Sequence, residues 1–340
     1  MVRIGIAGIG FMGMIHYLAA QRVAGARVTA ICTRDPKKRA GDWRGIRGNF
    51  GPEGTRLDLS GVRTWEKLED LAADPEVDLV DICLPTHLHA QAALLFLRAG
   101  KHVLVEKPIA LQAEEAAEMV RTARQCRRLL MTAQVLPFFA EFAYALEYLR
   151  SGRGGRVRAA HFERIISPPD WSADIADPAK TGGPIVDLHI HDTHFILLAL
   201  GRPQAVFSTG VVHQGVVEHV ATHYLFGPDG PCVTCTSGAI CQKGRPFTHG
   251  YEIYCERATL LYHAGTQPVT LLHADGHVET PALGGSDDPL DAFAREIATA
   301  VDGIAADCEP QLLSGELAAL ALHVCRLEEA SVLHKQPLPV

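Results

Sequence analysis

The sequence predicts an α/β protein of two domains, the first with a parallel sheet and the second an α+β domain with a large, mostly antiparallel open sheet. Three observations predict this class. The chain of 340 residues is too long for most single hydrophobic cores. Up to residue 128, short apolar runs alternate with helical patterns, as in βαβ units. From residue 129 onward, β-rich stretches dominate. We therefore expect domains at residues 1–128 and 129–340.

The first domain is predicted from five apolar runs, each of a length typical of a buried strand. These strands are expected at residues 3–7, 28–32, 79–84, 102–105 and 129–133. Helices are expected at residues 14–23, 65–72, 88–99 and 113–126. Residues 44–61 hold five glycines and a proline, which predicts an irregular loop before a short strand.

The second domain is predicted to hold more strands than its helices can cover. Strands are expected at residues 157–166, 205–212, 219–226, 232–240, 251–256, 259–263 and 269–273. Helices are expected at residues 141–149, 185–200, 289–301 and 314–332. One face of the sheet would then expose apolar side chains, which predicts a symmetric homodimer or homotetramer joined through that face.

Composition and charge narrow the possible partners. The formal net charge of −7 argues against nucleic acid, because proteins that bind it usually carry a basic face. No apolar run is long enough to span a membrane. The N-terminus enters a strand without the regions of a signal peptide, and the nine scattered cysteines suit reduced thiols. We therefore expect a cytoplasmic protein.

A glycine fingerprint opens the chain. Gly8-x-Gly10-x-x-Gly13, with Phe11 and Met12 between the last two glycines, follows the first strand and begins the first helix. Glycines allow a tight turn and let backbone amides approach a pyrophosphate, which the helix N-terminus stabilises. In this context the fingerprint predicts dinucleotide binding rather than a merely structural turn.

The end of the second strand bears on which dinucleotide binds. The residue that reads the ribose is expected about 20 positions beyond the fingerprint. Thr33 and Arg34 lie there, where an NAD-binding protein usually offers an acid. A hydroxyl and a guanidinium suit the 2′-phosphate of NADP instead. Asp35, which precedes Pro36, is expected to cap the next helix. We therefore expect NADP or NAD, with NADP favoured.

Two further motifs carry acid–base groups. Glu106-Lys107-Pro108 follows a strand, and Gly182-Gly183 precedes Asp187 and His191. Residues four apart on a predicted helix share one face, so Asp187 can orient His191 as a general base. Lys107 can stabilise charge on the same substrate oxygen. An isolated pair of this spacing would suit a helix cap and a core histidine. Together with the fingerprint, it predicts proton transfer coupled to hydride transfer at a nicotinamide.

The same helix holds a dense set of potential metal ligands. They are Asp187, His189, His191, Asp192 and His194. On a helix His189 lies well away from the face that holds the other two histidines, so the three cannot converge easily. A metal on that face would also compete with proton transfer. We therefore expect no metal, and we expect His194 to line the substrate pocket or to support it.

These motifs together resemble those of the glucose–fructose oxidoreductase/inositol dehydrogenase/MocA (Gfo/Idh/MocA) family over nearly the whole chain. The resemblance rests on the glycine fingerprint, on Leu-Pro-Thr-His-Leu-His at residues 84–89, and on residues 100–108 and 182–192. It implies a Rossmann domain followed by a second domain whose open sheet commonly mediates dimers or tetramers.

The resemblance also implies roles for individual residues. Pro85, Thr86 and His89 would lie along the cofactor, and Glu106 would lie near the nicotinamide ribose. Lys107 would face the substrate, with Asp187 and His191 opposite it, and the peptide between Lys107 and Pro108 would be cis.

The loop before the glycine pair borders the substrate in this family. Trp171 is therefore expected either to stack on a sugar or to anchor the loop in the core. Three positions depart from the family pattern. His189 stands where glycine is usual, His194 where an acid is often found, and Pro137 where an arginine is common.

We therefore expect an NAD(P)-dependent oxidoreductase that acts on the CH–OH group of a sugar, an inositol or a related polyol. The predicted pocket holds polar groups that an apolar alcohol would leave unpaired. They are Lys107, Asp187, His189, His191 and His194, with Trp171 as a possible aromatic platform. Two alternatives stay open: an NAD-dependent glycoside hydrolase that oxidises its substrate transiently, and an inactive cofactor-binding regulator.

Overall fold

A computed structural model describes residues 1–168, 177–286 and 288–340, which fall into two compact units. Unit 1 comprises Met1–Phe138 and Gly285–Ala319, and unit 2 comprises Phe139–Gly284 and Leu320–Val340. The division into domains at residues 1–128 and 129–340 stays a prediction. A single boundary cannot describe the two compact units, because the segment Gly285–Ala319 returns to unit 1.

The strands of the described residues form two sheets. They are β1 (Val2–Ala7), β2 (Ala26–Cys32), β3 (Arg63–Trp65), β4 (Leu79–Ile82), β5 (His102–Glu106), β6 (Leu130–Ala133), β7 (Val157–Ile165), β8 (Ala205–His213), β9 (Val216–Leu225), β10 (Cys232–Gly238), β11 (Thr248–Cys255), β12 (Ala258–His263), β13 (Gln267–His273), β14 (Val278–Glu279) and β15 (Leu338–Pro339).

Each of the eight predicted helices has a counterpart at about the same position among the described residues, and two further helices have four residues each. The described helices are α1 (Phe11–Ala20), α2 (Pro36–Arg39), α3 (Leu68–Ala73), α4 (His89–Arg98), α5 (Ala113–Cys126), α6 (Ala140–Arg150), α7 (Pro178–Thr181), α8 (Ile190–Leu200), α9 (Leu290–Ala305) and α10 (Gly315–His334). The helix predicted from residue 65 begins later because Trp65 pairs with Cys32 in the sheet. The helix predicted over 185–200 is interrupted, since Ile185–His189 forms a π turn before α8.

The sheet of unit 1 has the order β3-β2-β1-β4-β5-β6, and all of its pairings are parallel. This confirms the predicted parallel sheet. Ile4 pairs with Val28 on one side and with Leu79 on the other, and all three are buried. The chain order reverses between β1 and β4, so the loops after these strands leave a crevice at the carboxyl edge where ligands bind in such sheets.

Helix α9 belongs to unit 1 because it packs against α1. Its buried face includes Phe293 and Ile297. Arg22, just beyond the end of α1, pairs with Asp288 at 2.8 Å and with Asp291 at 3.0 Å. Contacts of this kind join segments almost 270 residues apart, which local sequence patterns do not predict.

The sheet of unit 2 has the order β14-β13-β12-β11-β7-β10-β9-β8-β15. Its neighbours are antiparallel except for β7 and β10, which are parallel. This confirms the predicted second sheet. Two-residue strands at its edges, β14 and β15, are too short to be read from a sequence pattern.

Alternation along these strands distinguishes the two faces of the sheet. One row of laterally paired residues is buried: Val206, Tyr224, Val233, Ala160, Ile253, Leu260 and Leu271. The row beside it, whose side chains point to the other face, is accessible to solvent: Ala205, Leu225, Cys232, Ala159, Tyr254, Thr259 and Leu272. We call this second face the open face of the sheet.

Among the described helices, we find none that combines the length and the apolar character needed to cross a membrane.

Candidate cofactor and catalytic sites

The glycine fingerprint lies between β1 and α1, and its geometry fits a bound dinucleotide. Gly8 has φ +97°, and a Cβ atom there would lie 2.6 Å from the carbonyl oxygen of Cys83. A Cβ atom on Gly13 would lie 2.0 Å from the oxygen of Gly8. By contrast, no described atom lies within 4 Å of a Cβ atom built on Gly10. Strand–helix packing therefore requires two of the glycines, and the third leaves space for a close approach to the backbone.

Phe11 and Met12 are the first two residues of α1, and both are half-buried. The ring of Phe11 meets that of Phe50 edge to face, with centroids 4.8 Å apart. Phe50 lies in the glycine-rich loop predicted at 44–61, and its ring stacks on Phe293 of α9. The loop thus packs against unit 1 through aromatic contacts, which its composition did not predict.

Some of the charged side chains that follow β2 already make hydrogen bonds within the protein, and others are exposed. Asp35 caps α2, as predicted, by accepting from the backbone N–H of Lys37 at 2.8 Å. Lys38 donates from Nζ to the carbonyl oxygen of Ile9 at 2.6 Å, within the glycine fingerprint. Arg34 is exposed beside the half-buried Thr33. The Asp35 carboxylate therefore caps α2, and Arg34 remains accessible at the position predicted to read the ribose.

The segments after β4 and β5 are tied together by His89. Pro85 is exposed at the end of β4, and Thr86 begins a 3₁₀ turn that leads into α4. The two ring nitrogens of His89 lie 2.8 Å from the oxygen of Pro108 and 2.7 Å from that of Leu84. His89 is buried, so its contacts fix the backbone on both sides of this edge.

Lys107 is held at the carboxyl end of β5. Its backbone N–H donates to Glu106 Oε2 at 2.9 Å, and its peptide to Pro108 is cis, as the family resemblance implied. The Lys107 side chain is half-buried, whereas the Glu106 carboxylate faces the interior. The contacts of Glu106 and His89 therefore orient the backbone that carries Lys107.

Beneath Glu106, unit 1 contains a buried acid cluster, which we define as His16, Asp81, Glu106 and Glu296. His16 Nδ1 lies 2.8 Å from Asp81 Oδ2, and its Nε2 lies 3.0 Å from Glu106 Oε1. Sequence reasoning missed this cluster. A signal was present, because His16 and Asp81 occupy positions in apolar helix and strand patterns, where a polar residue is buried and needs a partner.

The pKa values of two members of the buried acid cluster are raised. Burial lowers the pKa of His16, but the Asp81 carboxylate and Cys83 raise it, and the net pKa lies well above the usual value. Burial raises the pKa of Glu296 well above its ordinary 4.5. Neither carboxyl oxygen of Glu296 has a hydrogen-bond partner in the described part of the chain. Burial and the lack of hydrogen-bond partners both favour the neutral form of Glu296.

Within the described ranges, one group of three potential metal ligands is close enough to share an ion, and it consists of His16, Asp81 and Cys83. His16 Nδ1 already hydrogen-bonds to Asp81, its Nε2 lies 3.0 Å from Glu106 Oε1, and burial raises the pKa of the Cys83 thiol. The histidines of residues 189–194 do not form such a group in those ranges. That no metal is bound stays a prediction.

In unit 2, the π turn Ile185–His189 and helix α8 carry Asp187 and His191. Both side chains are half-buried and therefore reached by solvent. Asp192, on the opposite side, is fully buried and receives two hydrogen bonds from Arg164, at 2.6 and 3.0 Å. In this segment, Asp187 and His191 are therefore accessible to solvent, whereas Asp192 is buried.

The structure places His189 and His194 in the interior of unit 2, each with no exposed surface. His189 Nδ1 lies 2.8 Å from Ser237 Oγ, and its Nε2 lies 3.2 Å from Glu328 Oε2. Burial lowers the pKa of His194 to about 3, so its ring is neutral. The predicted substrate contacts of both histidines stay predictions. Trp171 lies outside the described residues.

Two regions of the chain match the two domains of one protein family. Residues 2–134 match the "Oxidoreductase family, NAD-binding Rossmann fold", and residues 142–261 match the "GFO/IDH/MocA C-terminal domain". These matches cover most of the chain, which therefore belongs to the Gfo/Idh/MocA family of oxidoreductases. The predicted family, fold class and nicotinamide-dependent enzyme class are confirmed.

The chain is similar to named enzymes, of which two are a sugar reductase and an inositol dehydrogenase. The 1,5-anhydro-D-fructose reductase of Ensifer adhaerens is 30% identical over 263 residues, which span 70% of this chain and 76% of that protein. The inositol 2-dehydrogenase of Rhizobium meliloti (strain 1021) is 32% identical over 213 residues, which span 62% of this chain and 59% of that protein.

Solved structures share the whole fold at low identity. Levoglucosan dehydrogenase in complex with NADH and levoglucosan has a TM-score of 0.85 at 18% identity, and the match covers 100% of this chain and 99% of that one. An NAD-binding oxidoreductase from Klebsiella pneumoniae has a TM-score of 0.85 at 22% identity, with coverage of 100% and 99%. These likenesses show the fold.

We predict that Glu296→Gln makes unit 1 more stable relative to the wild type as the pH rises. The folded-state pKa of Glu296 is raised, so its contribution is full below pH 4.5 and is lost as the pH rises toward the folded pKa. Glutamine copies the neutral acid and does not titrate. The difference in free energy of unfolding should therefore grow by about 1.4 kcal/mol per pH unit.

The measurement is urea unfolding of both proteins between about pH 5 and pH 8, the range in which a raised carboxyl titrates. Glu53→Gln, at an exposed position in the same unit, is the control and should show no growing difference. A difference for Glu296→Gln that stays constant over this range would show that Glu296 is ionised in the folded protein.

Proposed function

We propose that this chain is an NAD(P)-dependent oxidoreductase that transfers a hydride between nicotinamide and a CH–OH group of a cyclic polyol, such as a sugar or an inositol. The proposal rests mainly on which titratable residues at positions 185–200 reach solvent and which are buried. Asp187 and His191 reach solvent, whereas His189, Asp192 and His194 are buried. An accessible carboxylate–imidazole pair suits proton transfer to or from a hydroxyl.

Each residue has a separate role in the proposed reaction. A bound nicotinamide supplies the hydride acceptor or donor. His191 takes the hydroxyl proton as a general base and returns it in the direction of reduction. Asp187 orients the imidazole of His191. Lys107 donates a hydrogen bond to the substrate oxygen and stabilises its developing negative charge. Glu106 accepts from the Lys107 backbone N–H and holds this turn in place.

The polyol class is supported by the chemistry of the residues and by the names of relatives. Lys107, Asp187 and His191 offer polar hydrogen-bonding groups, and a ligand without matching hydroxyls would leave them unpaired. The relatives named above act on an anhydrosugar and an inositol, and the NADH-bound neighbour holds levoglucosan. We therefore propose a cyclic polyhydroxylated substrate rather than a simple aliphatic alcohol.

We predict that Lys107→Ala and His191→Ala each lower turnover by about 10²–10⁴-fold, the scale of a positioned acid–base group. The wild type is first screened against sugars, inositols and cyclohexanol with both cofactors, with nicotinamide absorbance as the readout. Both variants should still bind cofactor in calorimetric titrations. Lys67→Ala and His323→Ala, at exposed positions, are matched controls and should keep normal turnover.

Near-normal turnover in Lys107→Ala or His191→Ala would remove the role assigned to that residue. If cyclohexanol outpaces every polyol, the proposed substrate class is wrong. Release of free sugar from a glycoside, without accumulation of reduced cofactor, would instead identify the glycoside hydrolase. Binding of cofactor with no turnover on any substrate would favour the regulator.

For the cofactor, we propose that NADP binds at least as tightly as NAD. The proposal is supported by the use of the Asp35 carboxylate as a helix cap and by the exposed guanidinium of Arg34. A 2′-phosphate can accept two charge-assisted hydrogen bonds from such a group. The acid that would read the ribose of NAD is replaced by Thr33 at this position.

We predict that Arg34→Ala weakens NADP binding by about 10- to 100-fold, the usual worth of a hydrogen bond to a charged group. NAD binding should change little, because NAD lacks the phosphate. Calorimetric titration with both cofactors is the measurement, and Arg98→Ala, at an exposed position on α4, is the control. Equal losses for the two cofactors, or a wild type that binds NAD much more tightly, would contradict this assignment.

We also propose that the protein is a symmetric homodimer or homotetramer joined through the open face of the unit 2 sheet. The proposal is supported by Leu225 and Tyr254, which are 41% and 40% exposed in the same lateral row. Large apolar side chains in one exposed row are unusual for a monomer, since their burial in an interface is favourable.

The expected cytoplasmic location stays a prediction.

We predict that Leu225→Lys shifts the protein toward the monomer, because it places a charge at the proposed interface. Light scattering at micromolar concentration should give a dimeric or tetrameric mass for the wild type and a smaller mass for the variant. Leu333→Lys, at an exposed position of α10 outside the sheet, is the control. A monomeric mass for the wild type would reject the proposed assembly.

A further inference from the structure

The π turn before α8 is an uncommon structure that needs a stabilising contact. The N–H of Ile190 donates to the carbonyl of Ile185, five residues earlier, which defines the turn. Such turns occur as single insertions into α-helices and recur at functional sites. One residue of an α-helix corresponds to a rotation of about 100°. If the turn relaxed to an α-helix, Asp187 would rotate relative to His191 by about this angle.

The buried side of the π turn is anchored by one histidine. His189 is the last residue of the turn and is fully buried. Its Nε2 lies 3.2 Å from Glu328 Oε2 on α10, and its Nδ1 lies 2.8 Å from Ser237 Oγ on β10. The hydroxyl of Tyr224 on β9 lies 3.3 Å from Nε2. A helix and two strands therefore hold this single ring.

The contact between His189 and Glu328 is an ion pair. When the Glu328 carboxyl is ionised it can only accept, so Nε2 of His189 is then the donor in this contact. Burial lowers the pKa of His189, but the Glu328 carboxylate raises it, and the net pKa lies well above the usual value. Both side chains have no exposed surface. Removing one partner of such a pair leaves an uncompensated buried charge, which is strongly unfavourable.

The same carboxylate contacts the next turn of the helix. Thr193 Oγ1 lies 3.5 Å from Glu328 Oε2 and 3.0 Å from Tyr224 Oη. Glu328 thus contacts residues on both sides of His191. The accessible Asp187 and His191 and the buried His189 and Thr193 belong to one continuous segment, so any shift of the buried side chains moves the accessible ones.

We propose that Glu328 and His189 are positioning residues, whose buried ion pair fixes the π turn and so sets the orientation of Asp187 relative to His191. The catalytic part of this inference rests on the proposed function, since it takes His191 as the general base. A misplaced catalytic group of this kind costs about 10²-fold in rate. The structural part, that the pair holds the turn, stands independently of the reaction.

The test compares Glu328→Gln, His189→Gln and the double variant with the wild type. Glutamine at either position keeps the approximate shape and removes the charge. Ser331→Ala is the matched control, because Ser331 is equally buried on α10 but contacts Ser208 and Gln336 rather than the π turn. If a single variant is too unstable to purify, the double variant serves, since it removes both charges and leaves no unpaired one.

The first readout is hydrogen–deuterium exchange of the amides of residues 185–191. Both single variants should exchange at least about tenfold faster there than their loss of global stability, measured by urea unfolding, accounts for, and Ser331→Ala should show no such excess. The second readout is steady-state kinetics. The kcat should fall by about 10²-fold with cofactor dissociation constants unchanged, whereas Ser331→Ala keeps the wild-type kcat.

Unchanged exchange at residues 185–191 would overturn the proposal, whatever the kinetics. Faster exchange with wild-type kcat, in a protein that His191→Ala inactivates, would overturn the positioning role and leave the proposed function intact. If His191→Ala is itself active, the catalytic role proposed for His191 fails. The exchange data then still decide whether the ion pair holds the turn.

Discussion

The pairing of β1 with β2 on one side and β4 on the other is the constraint on which unit 1 depends. Parallel strands end at the same edge of a sheet, so the segments after β1, β2, β4 and β5 come together there. These segments carry Gly8, Arg34, Thr86 and Lys107. Residues a hundred positions apart in the sequence thus come to one edge of the sheet, without any of them needing to be near another along the chain.

The two units support their accessible groups in a similar way, through polar side chains buried behind them. In unit 1, His16 lies between Asp81 and Glu106, and Glu106 accepts from the backbone of Lys107. In unit 2, the pairs His189–Glu328 and Arg164–Asp192 flank the turn that carries Asp187 and His191. Buried ionic groups of this kind add little net stability, but they enforce one geometry because unpaired alternatives are costly.

The predicted elements agree with the structure where the burial pattern is local. Each apolar run before residue 134 became a strand, and Asp35 caps a helix as its position before Pro36 predicted. The continuous helix predicted over 185–200 was wrong in its first turn. Helical periodicity cannot reveal a π turn, because a single inserted residue is stabilised by partners such as Glu328, more than a hundred positions later.

The sequence by itself determined the family, the parallel sheet, the glycine turn and the candidate acid–base residues, because each depends on residue types at short, fixed spacings. Only the tertiary structure decided that α9 returns to unit 1, that Glu296 is buried with a raised pKa, and that His189 faces the interior. These outcomes depend on which distant segments pack together. Burial and charge partners, rather than residue type alone, then set the protonation and the orientation of each group.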